Sequence, residues 1–356
     1  MNKIINDIIL MKKNKNIFKE EKQKAINVLS LFDGISCGRL ALNKNNFNID
    51  NYFSSEIDSN ALKVANFNHP YDEKNRLGDV RNIDVKLLPK IDLLIGGSPC
   101  QSFSFAGKKQ GMQTTSKIEI TTLEQYLQLK KENYEFIGQS YLFWEYVRIL
   151  EEIKEKNPNI IFLLENVIML KKWEEIITRT LGVEPIEINS SLVSAQNRRR
   201  LYWTNIKGIE QPKDKNISLK DILEKDEFCN KATIVGRRIN NLGKREDYNF
   251  SIPIIQCLEV RASNKDKSNC LTTVAKDNIL TSLEEGRYVD AFGKLNGNKL
   301  PFRYYTQLEY ERLQTLPDNY TNCIKINAAR KAIGNGWTVD VISHIFSFLT
   351  FPKKLN

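Results

Sequence analysis

"INVLSLFDGISCGRL", residues 26–40, passes from an apolar run through a turn bracketed by Gly34 and Gly38 into a helix-like stretch. A short run rich in Ile, Val and Leu that stops at a turn reads as a buried strand. The same rhythm returns downstream. "NYFSSE" (51–56) reads as a strand and "SNALKVANFN" as the helix after it, with Ser59 as its cap. "IDLLIGG" (91–97) and "NIIFLLENV" (159–167) read as strands, with the amphipathic helix "YLFWEYVRILEEIKEKN" between them. Strands alternating with helices predict an α/β domain on a parallel sheet covered by helices on both faces.

The rhythm stops near residue 208. From there to about 300 the chain is rich in turns ("GRRINNLGKRED", "RASNKDKSNC", "GKLNGNK"), which predicts a second, smaller domain with few long helices. "TQLEYERLQTL" then reads as a helix closed by Pro317, and "TVDVISHIFSFLT" (338–350) as an apolar-faced helix. Residues 112–140 form a long excursion between a loop and the next helix.

The 53 Lys and Arg outnumber the 43 Asp and Glu, a net charge of +10 that favours a polyanionic partner. The abundance of Lys, Asn and Ile makes part of that basicity compositional. No apolar stretch approaches the roughly 18 residues that a membrane span needs. Residues 1–25 read as a charged lead-in without a signal-peptide pattern. Six cysteines without a CxxC pair, and only two histidines, offer no zinc set, so no metal is expected. A reduced, cytoplasmic protein fits that usage.

Six stretches could carry chemistry. The glycine turn after Phe32 lets backbone approach a nucleotide-like ligand. Glu56, at the end of the next run, can take the hydroxyls of a ribose, and Asp79 in "LGDVRN" can accept from an adenine amine. Phe32, Glu56 and Asp79 each end consecutive strand-like runs and should converge on one sheet edge. In "GGSPCQSFSFAG" (96–107), Cys100 sits just past an apolar run, where open α/β sheets hold reactive groups. A free thiol has a pKa of ~8.5, so it needs a nearby positive charge to act as a thiolate at neutral pH. Glu165 in "LLENV" ends the following strand, which brings its carboxylate toward Cys100. "SAQNRRRLYW" (194–203) adds Gln196, Arg198, Arg199 and Arg200, either as a solvated phosphate-binding patch or as fixed donors to a substrate carbonyl.

Taken together, this set resembles the cytosine-5 DNA methyltransferases of bacteria and phages. "LSLFDGISCG" is similar to the first of that family's ordered motifs, "SSEID" to the second, "GDV" to the third and "GGSPCQSFSFAG" to the fourth. "LLENV" resembles the sixth, "QNRRRLYW" the eighth, "RYYTQLEYERLQTLPDNY" the ninth and "AIGNGWTVDVI" the tenth. The order holds across residues 28 to 350. The resemblance implies a Rossmann-like S-adenosylmethionine-dependent methyltransferase sheet with a smaller target-recognition domain. It implies a cofactor-binding catalytic domain at 26–207, target recognition at 208–325 and a returning segment at 326–356.

By the same resemblance, Cys100 adds to carbon 6 of a flipped-out cytosine in double-stranded DNA, Glu165 grips ring nitrogen 3 and the amine, and Arg198 and Arg200 hold the oxygen and orient Cys100. Pro99 aims the sulfur. Phe32 stacks on the cofactor adenine, with Ile57 and Val80 beside it. Glu56 takes the ribose and Asp79 the amine, and Leu142 and Asn335 line the methionine side. Asp33, Gly34, Ile35, Ser36 and Trp337 complete the cofactor set. Two departures, "FDGISCG" and "GNGW", resemble the animal de novo enzymes and touch the backbone near Ser36 and Trp337.

Gln101, Ser102, Arg237, Arg238, Arg261, Lys265, Lys267, Thr272 and Thr273 are the expected DNA contacts. The excursion 112–140 is either a lid or minor-groove element, or a surface insertion. The other five cysteines, Cys270 among them, read as packing or surface residues. The family implies a monomer, compatible with a cognate restriction endonuclease in a bacterial or phage-infected cell. Rival readings are the same chemistry on tRNA, for which the distinctive Cys-Phe-Thr segment is absent, and a catalytically silent DNA-binding partner, which would be expected to lose one of these site residues.

Overall fold

β1 (Ile26–Leu31) divides its side chains by parity: Ile26 and Val28 enter one apolar core, Leu29 and Leu31 another. Successive strand side chains point to opposite faces, so a strand apolar at nearly every position needs cover on both sides. The computed structural model, which describes residues 25–99, 111–224, 227–261, 266–295 and 297–351, supplies that cover with helices. β2 (Ile49–Ser55), β3 (Leu93–Gly96), β4 (Ile161–Val167), β5 (Ile186–Asn189) and β6 (Arg199–Thr204) complete the sheet, in the order β2-β1-β3-β4-β6-β5. On the Ile26 side lie α1 (Cys37–Lys44) and α2 (Ser59–Asn68), packed through Ala41, Leu42, Ala61 and Val64. On the Leu29 side lie α3 (Leu123–Lys131), α4 (Phe143–Lys156) and α5 (Lys171–Leu181), packed through Tyr126, Trp144, Ile149, Trp173 and Ile177.

The α/β class follows the pattern in the sequence, but the sheet is mixed rather than parallel. β2, β1, β3 and β4 run parallel, whereas β6 is antiparallel to both β4 and β5. The β5–β6 connection, residues 190–198, holds a single 3₁₀ turn. A parallel return needs a crossover of about a dozen residues or more, so β6 must run back.

Two local expectations are also corrected. Asp58, not Ser59, caps α2: its carboxylate accepts from the backbone N–H groups of Asn60 and Ala61. Asp79 does not end a strand. Its segment makes one bridge to the sheet, Ser54 to Arg76, and Asp79 caps a 3₁₀ turn at Val80–Asn82. The excursion 112–140 contributes Met112, Ile120, Tyr126 and Leu129 to the core on the α4 face, and the Tyr126 hydroxyl donates to the buried Glu145 at 2.6 Å.

After α6 (Leu219–Ile222), the turn-rich region forms an antiparallel sheet of β7 (Asn230–Arg238), β8 (Ile254–Val260), β9 (Ile279–Thr281), β10 (Gly286–Tyr288) and β11 (Phe302–Tyr304), ordered β10-β8-β7-β9-β11. Ala232, Ile234, Leu258, Val260, Ile279 and Phe302 give it a separate core. The chain then returns: α7 (Gln307–Leu313), α8 (Ile326–Asn335) and α9 (Val339–Phe346) pack in the core that holds Ile26. Among the described residues, no helix is long and apolar enough to cross a membrane.

Candidate active site

The turn after β1 carries three left-handed residues, Phe32 (φ 57°), Gly34 (φ 57°) and Ser36 (φ 61°). For a bulky side chain such as Phe32 that conformation costs about 1–3 kcal/mol and persists only where surroundings over-determine it. Asp33 supplies the restraint. Its carboxylate accepts from the hydroxyls of Ser30 (2.7 Å) and Tyr52 (2.6 Å), and also from Ser36 and Arg76. Burial and the Asp33 charge push the Tyr52 pKa well above its ordinary value, so the phenol stays a donor. Glu56 closes the turn from β2: one oxygen accepts from Gly34 N at 2.8 Å, the other from Ile57 N and Asp58 N, each at 2.7 Å.

Above this turn lies a cleft of about 680 Å³ along the carboxyl ends of β1, β2, β3 and β4. Ligands bind at this edge of open α/β sheets. Of the residues predicted from sequence, Phe32, Gly34, Glu56, Ile57, Asp79, Val80, Pro99, Leu142, Glu165, Arg198, Arg200 and Asn335 all line it. Asp33, Ile35, Ser36 and Trp337 do not; they stand behind the wall. Ile35 and Ser36 are buried, and Asp33 is spent on the turn. Cys100, Gln101 and Ser102 lie outside the described residues, as does Lys265. Pro99, the residue before Cys100, is a wall residue. Asn166 ties β4 to that segment, donating to the Ser98 carbonyl at 3.1 Å.

Sequence reasoning missed Tyr141, Lys331 and Ala332 in the cleft wall. Lys331 sits one helical turn before the "GNG" stretch and pairs with Asp58 at 2.9 Å, a contact with no local signature. Asp79 is engaged by Arg81, whose guanidinium holds its carboxyl below the usual range, so a ligand amine would share that acceptor.

The three arginines divide their work. Arg200 Nε pairs with Glu165 Oε1 at 3.0 Å, at the head of the cleft. Arg199, of opposite parity on β6, is exposed and pairs with Glu187 on β5. Arg198 is buried and donates to three carbonyls: Leu271 at 3.1 Å, Gly334 at 3.2 Å and Gly336 at 2.9 Å. Gln196, also buried, donates to the carbonyl of Leu313 and accepts from Leu271 N. Cys270, read as packing or surface, instead lies 3.5 Å from Arg198 Nη1 and 3.8 Å from Arg200 Nη2. Burial opposes ionisation of its thiol, but the two guanidiniums outweigh it and hold the pKa below the ordinary thiol value. Burial pushes the Cys37 thiol up to about 12, as befits packing.

Over residues 26–350 the chain matches the family described as C-5 cytosine-specific DNA methylase. The chain belongs to this family. It is 30% identical over 347 residues to the type II methyltransferase M1.ScrFI of Lactococcus lactis subsp. cremoris, covering 92% of this chain and 79% of that one. To the type II methyltransferase M.HhaI of Haemophilus parahaemolyticus it is 23% identical, covering 92% and 95%. Its fold is that of the Entamoeba histolytica methyltransferase EhMeth, with a TM-score of 0.59 at 16% identity, covering 92% of this chain and 98% of that one. This C-5 cytosine methylase is therefore an enzyme, and its family draws the methyl group from S-adenosylmethionine.

On the second sheet of the methylase, Arg237, Arg261 and Arg287 converge on Glu259, which is pulled down to about 2 against its burial. Arg287 was not foreseen, since it lies alone in "EEGRYVD" and reaches Glu259 only through the β8–β10 pairing. Arg238 lies over the ring of Phe250 at 4.8 Å. The Thr272 hydroxyl donates to Asp277 at 2.6 Å, and Thr273 is exposed. Lys267 is not a surface cation: it is buried and donates to the carbonyls of Ser191, Ser194 and Ile217.

Proposed function

We propose that this methylase transfers a methyl group to carbon 5 of a cytosine turned out of double-stranded DNA within a short sequence, with Cys100 as nucleophile. The observation that carries this reading is one cleft whose wall includes Phe32, Glu56 and Asp79 as well as Pro99, Glu165 and Arg200. That is a nucleoside-binding set and a base-binding set in a single space. Its volume lies within the range of small-molecule sites, ≈ 300–1,000 Å³.

The donor set fits S-adenosylmethionine. Phe32, Ile57, Val80 and Leu142 offer apolar surface for the adenine and methionine portions. Glu56 retains about one acceptor site for a ribose hydroxyl after taking three backbone N–H groups, since a carboxylate has about four such sites. When bound, the cofactor supplies an electrophilic methyl group. The chain's own residues prepare the base. Turning it out costs a few kcal/mol. The Cys100 thiolate adds to carbon 6, which makes carbon 5 nucleophilic. Glu165 grips ring nitrogen 3 and the exocyclic amine, and Arg200 stands beside it for the ring oxygen. Loss of the carbon 5 proton and departure of the sulfur restore the ring. In this reading, residues 26–207 form the catalytic domain, 208–325 recognise the target through the second sheet, and 326–356 return to the catalytic domain. The family's chemistry supports a cytoplasmic monomer, and the type II designation of its relatives supports a partner restriction endonuclease.

Glu56→Ala is expected to raise KM for S-adenosylmethionine ~10- to 100-fold, the loss of a charged hydrogen-bond acceptor, with kcat for DNA nearly kept. Initial rates at varied cofactor check this. The reading as a whole is tested by expressing the chain in a bacterial host without cytosine methylation and sequencing its DNA after cytosine conversion. Protected cytosines in one short context are the expected result. Full conversion, from soluble protein that still binds the cofactor, would overturn it in favour of tRNA or of a silent DNA-binding role.

A further inference from the structure

Trp337 was expected in the cofactor wall, yet its ring lies behind that wall, between two glycines. A Cβ added to Gly97 would stand 2.9 Å from Trp337 Nε1 and 3.0 Å from Glu165 Oε2, and one added to Gly38 would stand 3.4 Å from the far edge of the indole. The nitrogen edge of the indole therefore occupies space left by the missing side chain of Gly97 at the end of β3, while its far edge is in ordinary contact range of Gly38. Its chain neighbours are fixed as well. The Gly336 carbonyl accepts from Arg198 and Gln314, and Thr338 Oγ1 donates to Gln314 Oε1 at 2.7 Å. From this anchored position, Trp337 Nε1 donates to Glu165 Oε2 at 3.0 Å, across 172 residues of sequence.

We infer that Trp337 is a positioning residue that holds the Glu165 carboxylate open for the base. The inference rests on the proposed role of Glu165. Arg200 Nε forms an ion pair with Oε1, and the indole N–H donates a hydrogen bond to Oε2. A carboxylate beside a guanidinium otherwise tends to close into a two-point fork. That fork would take both oxygens and turn the acceptor edge away from the cleft. The indole donor holds the carboxylate plane, so that one position on each oxygen remains for the cytosine edge: one accepts from the exocyclic amine, and the other shares a proton with ring nitrogen 3, which has only a lone pair of its own. Indole nitrogen donates only, so this contact cannot reverse its polarity. The other Arg200 nitrogens reach the Arg199 carbonyl at 2.9 Å and the Cys270 sulfur at 3.8 Å, partners that draw them away from Glu165.

The test uses the full chain with Trp337→Phe and Glu165→Gln. In ¹⁵N-indole-labelled protein, the Trp337 Nε1–H resonance is the one lost in Trp337→Phe. It should move upfield in Glu165→Gln, where a neutral amide replaces the charged acceptor; a resonance that stays in place overturns the inference. Kinetically, Trp337→Phe should lower kcat on DNA about tenfold, the weight of one hydrogen bond to a charged group, with KM for S-adenosylmethionine unchanged. A rise in that KM with kcat retained would make Trp337 a cofactor-wall residue and overturn the inference. Undiminished turnover in Trp337→Phe, with Glu165→Gln inactive, would also overturn it while leaving the proposed function standing. Undiminished turnover in Glu165→Gln would sink both. If Trp337→Phe folds poorly, backbone-linked assignment of the four indole signals in the parent identifies the Trp337 resonance instead, so the measurement remains decisive.

Discussion

A Cys100→Ser variant is expected to bind DNA and S-adenosylmethionine as the parent does and to lose methyl transfer by about 10⁴-fold or more, as removal of a nucleophile does elsewhere. The reason is chemical. A thiol is a few per cent thiolate at neutral pH, and nearby cations raise that share, whereas a serine hydroxyl is far less acidic and needs a dedicated base. Pro99, the residue before Cys100, shares the cleft wall with Arg198 and Arg200. Those guanidiniums already depress the pKa of the neighbouring Cys270 thiol against the effect of burial. Transfer of a labelled methyl group to duplex DNA measures the loss directly. A second readout separates addition from transfer. DNA with fluorine on carbon 5 of the target cytosine cannot lose a proton there, so it should trap the parent covalently and leave Cys100→Ser free on a denaturing gel. A variant that still transfers methyl groups would remove Cys100 from the mechanism.

Arg198→Met should unfold the methylase more readily, by roughly 3–5 kcal/mol, the cost of stripping a buried charged donor from its acceptors. Arg198 is a cross-brace between distant segments. It binds Leu271, which follows the second sheet's β8, and Gly334 and Gly336, which flank Asn335 at the end of α8. Methionine fills much of the volume but removes a donor from three buried carbonyls, and the segment that carries Asn335 and Trp337 is left with Gln314 alone holding the Gly336 carbonyl. A fall in melting temperature of roughly 4–7 °C is expected by calorimetry. Arg200→Met makes the informative contrast. Arg200 stands at the cleft and pairs with Glu165, so its loss should cost turnover far more than stability. Equal melting temperatures for the two variants would contradict this division of labour.

Much of the architecture is legible in local pattern. The parity of Ile26 and Val28 against Leu29 and Leu31 already requires two covered faces. Parallel strands share a carboxyl edge, so a residue at the end of β1, another just past β2 and another near the end of β4 must meet. That is why Phe32 and Glu56, read from sequence as convergent, and Glu165, read as lying toward Cys100, line one cleft. Asp79 reached the same cleft by another route, from a 3₁₀ turn that no strand pattern describes. The direction of β6 was not legible in its own apolar run, because direction depends on the length of the connection before it.

The roles of like residues were decided only in three dimensions. Arg198 and Arg200 are two apart and equivalent by pattern, yet one is enclosed by carbonyls and the other faces a carboxylate. Lys267 sits in a basic stretch and still ends up buried, satisfied by three carbonyls from two other segments. Trp337 meets Glu165 only because Gly97 leaves room for its ring. Sequence by itself determined the period of the strands, the turn after β1 and the order of the reactive groups, since these depend on each residue and its near neighbours. Tertiary structure decided which donor each buried acceptor received. That choice depends on what distant segments bring into hydrogen-bond reach, and a polar group removed from water must accept whichever partner is there.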